Sequence, residues 1–179
     1  MTRVWGLLLV SAFLAQGCEH YRLGAGPGPS FSTLYVEPAK NKTKLAQTQA
    51  TVSTVVREAF VRDGRVQVVG SASDADATLE VTLVNYRREN YANREDDTGL
   101  ARKFTLRLTA SCSLRDNRTG KMLFDGRIIE VQREAFTDNG LGSVPFGTSK
   151  DQLQSEYNTF PLLASLLSDK VTHAVLDVW

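Results

Sequence analysis

The sequence predicts an α+β fold: a two-layer sandwich in which a mostly antiparallel sheet of four to five strands carries two helices on one face. Residues 77–91 and 104–114 alternate apolar and polar side chains, which is typical of strands with one buried face. Two other stretches, one on each side of these strands, repeat apolar residues every three or four positions, as helices do. Since each helix has one apolar stripe, stacking both on the apolar face of the sheet buries all three surfaces.

The first half of this domain is predicted to contain two short strands and a helix. Residues 32–38 alternate and end at a proline, and Asn-Lys-Thr at residues 41–43 forms a turn. The helical repeat then covers residues 45–62 and ends at Asp-Gly. Residues 67–69, a glutamine followed by two β-branched valines, predict the second short strand.

The long strands define the apolar face of the sheet. After the strand at residues 104–114, residues 116–120 predict a hairpin turn and residues 122–131 a returning strand. Gly126 interrupts the apolar phase of that strand and predicts a β-bulge. The residues predicted to point toward the helices are Leu79, Val81, Leu83, Phe104, Leu106, Leu108, Ala110, Cys112 and Leu114.

The last segment predicts a second helix. Ser149 and Gln152 resemble a capping box at its start. Pro161 lies inside the pattern, so the sequence predicts either a kink there or a helix that begins near Pro161. The apolar stripe consists of Leu153, Tyr157, Phe160, Ala164, Leu167, Val171, Ala174 and Val178.

Residues 1–17 are predicted to be a signal peptide. Arg3 provides a positive flank, and residues 4–14 form an apolar run of about 11 residues, whereas crossing a bilayer takes roughly 20. Small residues follow, as they do before a cleavage site.

Cys18 directly follows this segment, and the Gly-Cys pair resembles the lipobox of bacterial lipoproteins. This resemblance implies cleavage before Cys18 and acylation of that residue. Glu19 stands where an aspartate would disfavour outer-membrane sorting in enterobacterial lipoproteins, so the same resemblance implies the outer membrane. The alternative is an ordinary secretory signal that a cysteine happens to follow. Residues 18–30 end in a run of glycine and proline and are predicted to be a tether.

Composition limits the class of protein. Removal of residues 1–17 leaves 162 of the 179 residues, with 20 basic and 20 acidic side chains, so residues 31–179 are long enough for one α+β domain with its own core. A net charge near zero argues against general nucleic-acid binding. Cys112 is the one cysteine besides Cys18, so no disulfide framework is expected, and Cys112 is predicted to be buried.

The sequence contains little that indicates chemistry. Neither of the two histidines, His20 and His173, has a cysteine or carboxylate at the spacing of metal ligands. No nucleophile motif accompanies the serines. The sequence therefore predicts no metal, no cofactor and no enzyme activity.

The connection between the two long strands is the most informative stretch. Its cations lie near Tyr86 and Tyr91, and guanidinium groups bind phosphate in bidentate fashion. This end of the sheet could therefore bind a phosphorylated, partly apolar ligand; the alternative is a hairpin tip whose charges only keep it soluble. The candidate ligand-binding residues are Arg87, Arg88, Arg94, Arg102 and Lys103.

Several segments in order resemble the lipopolysaccharide-assembly lipoprotein family, LptE. They are GCEHYRLG, STLYVEPAKNKT, ADATLEVTLVNYRRE, FTLRLTASCSLRDNRTGKMLFDGR and LLASLLSDKVTHAVLDVW. The resemblance implies an outer-membrane lipoprotein that plugs and helps assemble a β-barrel translocon, with its domain in the periplasm or barrel lumen, and that contacts lipopolysaccharide during export. A different class remains open: a periplasmic lipoprotein with no lipid ligand, such as a peptidoglycan synthase activator or a secretion-channel lipoprotein.

Overall fold

A computed structural model describes residues 28–45, 48–90, 103–136 and 149–177. The predicted signal peptide, Cys18 and most of the predicted tether lie outside these residues. No helix within the described ranges is both long enough and apolar enough to span a membrane. The elements in chain order are β1 (Thr33–Val36), β2 (Lys40–Asn41), α1 (Thr48–Asp63), β3 (Gln67–Val69), β4 (Ala77–Asn90), β5 (Lys103–Asp116), β6 (Met122–Phe136) and α2 (Ser149–Leu176).

The strands form one mixed sheet in the order β3-β1-β4-β5-β6, and the two-residue β2 pairs with β4 beyond the end of β1. The long strands β4, β5 and β6 are antiparallel, whereas β1 is parallel to both β3 and β4. The parallel pairs arise because α1 returns the chain across the sheet between β1 and β3, and a crossover of this kind joins parallel strands. The predicted α+β fold is confirmed, and β2 is the strand that the sequence did not reveal.

One hydrophobic core lies between the sheet and the helices. The six residues of β5 predicted to point inward are fully buried, together with Leu79, Val81 and Leu83 of β4. Val52, Val56 and Phe60 of α1 and Leu163, Leu167 and Val171 of α2 belong to the same cluster. Because the inward residues of β5 all lie on one face, both helices pack on that face, as predicted.

The element boundaries differ from the prediction at two places. Leu45 was expected to begin the first helix, but it precedes the helix and its carbonyl accepts hydrogen bonds from the Asn41 amide and the Thr48 hydroxyl. The last strand was expected to end at residue 131 and continues to Phe136, because it pairs with β5 as far as Lys103.

Two bulges set which side chains reach each face of the sheet. Gly126 has a φ of 63°, and the pairing between β5 and β6 shifts beside it, so the bulge predicted there is confirmed. A second shift lies between Leu83 and Asn85 of β4. Beyond it, Tyr86 and Arg88 pair with Leu108 and Leu106 and therefore share the helix-facing side of the sheet.

The last helix is continuous from Ser149 to Leu176, with Pro161 inside it. Of the two alternatives for this segment, a helix that begins near Pro161 is therefore wrong. Proline has no N–H, so the carbonyl of Tyr157, four residues earlier, loses its usual helical hydrogen bond.

Candidate functional site

The candidate site lies at the far end of the three long strands, where β4 ends and β5 begins. Of the five cations predicted from the sequence, Arg87 and Arg88 lie near the C-terminal end of β4. Lys103 is the first residue of β5 and pairs with Phe136 of β6. Arg94 and Arg102 lie outside the described residues. The structure therefore brings Arg87, Arg88 and the backbone of Lys103 to one end of the sheet and says nothing about the other two.

Arg87 lies on the face of the sheet that carries no helix. Its partner across the strands is Arg107, so two guanidinium groups project from neighbouring positions. Arg107 is neutralised by Glu130 and by Glu89, whose Oε2 is 3.3 Å from its Nη2. The hydrogen bonds that Arg107 donates to Glu130 and, less strongly, to Glu89 hold its pKa above the usual value. Arg87 is exposed and makes no hydrogen bond or ion pair with any other described residue, so it remains an uncompensated cation.

Arg88 lies on the opposite face, beneath α2. Its Nη1 is 3.5 Å from Oε2 of Glu156, a carboxylate that is 15% exposed. The other oxygen of Glu156 accepts a hydrogen bond from the Tyr86 hydroxyl. Burial raises the pKa of Tyr86 well above its ordinary value, and the bond to Glu156 raises it further, so the hydroxyl stays protonated and donates. Arg88 itself is 40% exposed, so part of its side chain is accessible from solvent.

A cavity of about 350 Å³ opens beside this cluster, between the start of α1, the first turns of α2 and Tyr86. Most of the cavity wall is apolar and includes Leu45, Leu153, Phe160 and Pro161. Glu156 adds a carboxylate to this wall. This volume and this lining are typical of small-ligand sites, which are mostly apolar with a few polar groups.

The sequence did not identify Arg107 or Glu156 as part of this end of the molecule. The alternation of β5 implies that Arg107 lies on the polar face, but its contact with Glu89 and Glu130 depends on strand register. Glu156 comes from α2, about 70 residues from Tyr86 along the chain, as the hydrogen bond between them records. The sequence did contain a signal for the side that Tyr86 faces. Apolar residues stand at odd positions up to Leu83 and the next one on that face is Tyr86, so the alternation shifts by one residue, as at a bulge.

The described residues contain no group of three or more His, Cys, Asp or Glu side chains placed to hold a metal ion. His173 contacts Asp177 near the end of α2, far along the helix from the cavity. The fold and the site together define an α+β protein with exposed arginines at one end of its sheet, beside a mostly apolar cavity.

Comparison with known proteins identifies the family. The family model described as LptE, lipopolysaccharide-assembly, matches residues 31–170, and the chain therefore belongs to this family, as its resemblance implied. None of the curated proteins compared with the chain matches it significantly.

Several solved structures share the fold. A minor lipoprotein from Acinetobacter baumannii is 16% identical with a TM-score of 0.51, and the alignment covers 82% of this chain and 92% of that one. The rare lipoprotein B from Shewanella oneidensis is 15% identical with a TM-score of 0.53, covering 80% and 92%. An uncharacterized lipoprotein B from Nitrosomonas europaea is 16% identical with a TM-score of 0.50, covering 82% and 81%. At these identities the likeness concerns the fold.

Proposed function

We propose that this protein is an outer-membrane lipoprotein, anchored through Cys18, that occupies the lumen of a β-barrel translocon, assists its assembly and contacts lipopolysaccharide during export. Membership of the lipopolysaccharide-assembly family supports the general role. The polar, helix-free face of the sheet supports the place in the barrel, because the interior of a large outer-membrane barrel is itself polar. Binding, not catalysis, is the activity that this proposal requires.

The observation that carries the lipid contact is the uncompensated charge of Arg87. Arg107 across the strand is neutralised by two glutamates, and Arg87 is not. Arg87 is therefore the guanidinium of this cross-strand pair that is left to bind a phosphate, which guanidinium groups do in bidentate fashion. In the sequence, the connection between β4 and β5 and its last junction also contain Arg94, Arg102 and Lys103. We propose that these three residues add to the phosphate site.

Purification of the full-length, affinity-tagged chain from detergent-solubilised outer membranes tests the proposal. The wild-type protein should recover both a β-barrel protein and lipopolysaccharide. Reversal of the charges at Arg94 and Arg102 should lower the lipopolysaccharide recovered at low salt, where screening of phosphate contacts is weakest. Arg118→Glu is the matched control, because Arg118 is an exposed arginine in the turn at the opposite end of the sheet, with 64% of its side chain accessible.

Two outcomes would contradict the proposal at different levels. Recovery of a periplasmic synthase or a ring of identical subunits, with no barrel, would favour the alternative class of lipoprotein. Equal recovery of lipopolysaccharide by the wild-type chain and the Arg94/Arg102 variant would remove these two arginines from the site.

A further inference from the structure

The first three turns of α2 carry an apolar stripe that no other described part of the chain covers. Leu153 and Tyr157 are 61% and 75% exposed, and Phe160 is half-buried. In the second half of the same helix, the stripe continues through Leu167 and Val171, which are fully buried against the sheet and α1. An uncovered apolar patch of this kind marks a binding surface more often than a scattered single residue does.

This uncovered stripe forms one wall of the cavity of about 350 Å³. Leu45, the start of α1 and Tyr86 of β4 also line it. The surface is therefore a cavity lined by several elements, which suits a narrow apolar group more than the flat surface of a protein partner.

The charge beside the cavity indicates what the apolar group is attached to. The Tyr86 hydroxyl donates a hydrogen bond to Glu156, so this carboxylate already has a donor inside the cavity. The Arg88 guanidinium lies 3.5 Å from Glu156 and makes no other side-chain hydrogen bond or ion pair with the described residues. A guanidinium with free donors next to an apolar cavity complements an anionic headgroup that is joined to an alkyl chain.

We infer that this cavity, between Leu45, Tyr86 and the stripe of Leu153, Tyr157 and Phe160, binds an acyl chain of lipopolysaccharide while Arg88 binds a phosphate of the same molecule. The inference rests on the proposed function and adds a second half to its site. Arg87 and Arg88 lie on opposite faces of β4, so one phosphorylated lipid end would straddle the strand. Beyond β2, β4 is the edge of the described sheet, whose other strands here are β5 and β6, so such a ligand would wrap around this edge.

Photo-crosslinking in growing cells tests the inference on the full chain without detergent. A benzoylphenylalanine is placed at Leu153, at Tyr157 or at Leu162, and adducts are detected with an antibody against lipopolysaccharide. Leu162 is the matched control: it is a 51% exposed leucine on the same helix that does not line the cavity. Adducts are expected at positions 153 and 157 and not at 162, and mass spectrometry should place the new bond on an acyl carbon.

A second measurement uses simple substitutions. Leu153→Ser combined with Tyr157→Ser should lower the lipopolysaccharide recovered with the chain about tenfold, the value expected when one or two apolar contacts are lost. Leu162→Ser should leave it unchanged. All three side chains are exposed, so the variants are expected to fold, and thermal unfolding checks that they do.

The outcomes separate this inference from the proposed function. If lipopolysaccharide is recovered equally by the Leu153/Tyr157 and Leu162 variants, or if the adducts are to a protein or a sugar, the acyl site is wrong while the proposed function stands. If the wild-type chain recovers no lipopolysaccharide and gives no adducts, both are wrong.

Discussion

At the scale of single residues, Asp76 has the most clearly defined structural role. Its Oδ2 accepts hydrogen bonds from the Ser32 and Thr33 amides at 3.0 Å and from the Ser32 hydroxyl at 2.8 Å. Its own amide donates to the Thr33 hydroxyl at 2.8 Å. One side chain thus fixes the start of β1 to the start of β4, two segments that are more than 40 residues apart in the sequence.

These hydrogen bonds make the stability of the fold depend on pH. The amide and hydroxyl of Ser32, followed by those of Thr33, lower the pKa of Asp76 below its ordinary value of 3.8. Since the pKa is lower in the folded chain than in the unfolded one, the carboxylate stabilises the fold above pH 3.8, and this contribution is lost as the pH falls through the folded pKa.

Asp76→Asn should therefore lower the melting temperature by a few degrees at pH 7 and by clearly less at pH 2, where part of the carboxylate's contribution is already lost. The measurement is thermal unfolding followed by circular dichroism between pH 7 and pH 2. Asp74→Asn is the matched control, because Asp74 lies in the same loop and its carboxylate accepts hydrogen bonds from serine hydroxyls only. If both variants lose the same stability at every pH, the contacts to Ser32 and Thr33 do not carry the effect.

At the scale of elements, the strands show what the sequence can and cannot predict. The period of two located β5 and its buried face because every second residue from Phe104 to Leu114 is apolar. The prediction did not use the phase shift before Tyr86 and so did not place Arg88, because one bulge residue decides which side Arg88 faces and a shift of one residue exchanges the two faces of a strand. The contact between Glu156 and Tyr86 joins two elements whose relative register no local pattern records.

Side chains of α2 make polar contacts with the edge strand β6, and these contacts limit its pairing with strands of other chains. It is 15 residues long and lies at the edge of the sheet, and such an edge can pair with other chains. The Lys170 ammonium donates to the Glu130 carbonyl at 2.9 Å, and the Ser155 hydroxyl donates to the carbonyl of Phe136. The helix α2 therefore protects the edge as well as the core.

The bulge at Gly126 provides a test of strand geometry. Its φ of 63° is in the left-handed region, where an alanine is strained by about 1 kcal/mol, although nothing within 4 Å would contact the added methyl group. Gly126→Ala should lower the free energy of unfolding by about that amount in urea titrations. Gly70→Ala is the control, since Gly70 is equally open and not left-handed, and it should be neutral or slightly stabilising. Equal effects of the two substitutions would show that the bulge does not require a left-handed residue.

At the scale of the whole molecule, the sheet separates two ends with different roles. The chain enters at β1, which pairs with the first residues of β4, and the turn after Asp116 lies beside the same residues. Arg87 and the cavity lie at the other end, about 33 Å away if each residue of β4 advances about 3.3 Å. A flexible tether of the length predicted for residues 18–30 has a root-mean-square span of about 20 Å, so a chain acylated at Cys18 would keep the entry end near the bilayer and hold the candidate site away from it.

Fluorescence quenching measures this orientation on the full, acylated chain in phosphatidylcholine vesicles that contain brominated acyl chains. Arg118→Cys and Arg87→Cys each provide one reactive thiol, because Cys112 is buried and burial raises its pKa to about 12. A label at position 118 should be quenched by the brominated lipid, and a label at position 87 should not, because it lies a strand length further from the membrane. Vesicles without bromine give the reference intensity, and the unsubstituted chain gives the background labelling. Equal quenching at the two positions would mean that the domain lies flat on the bilayer, and no quenching at either would mean that Cys18 does not anchor the chain.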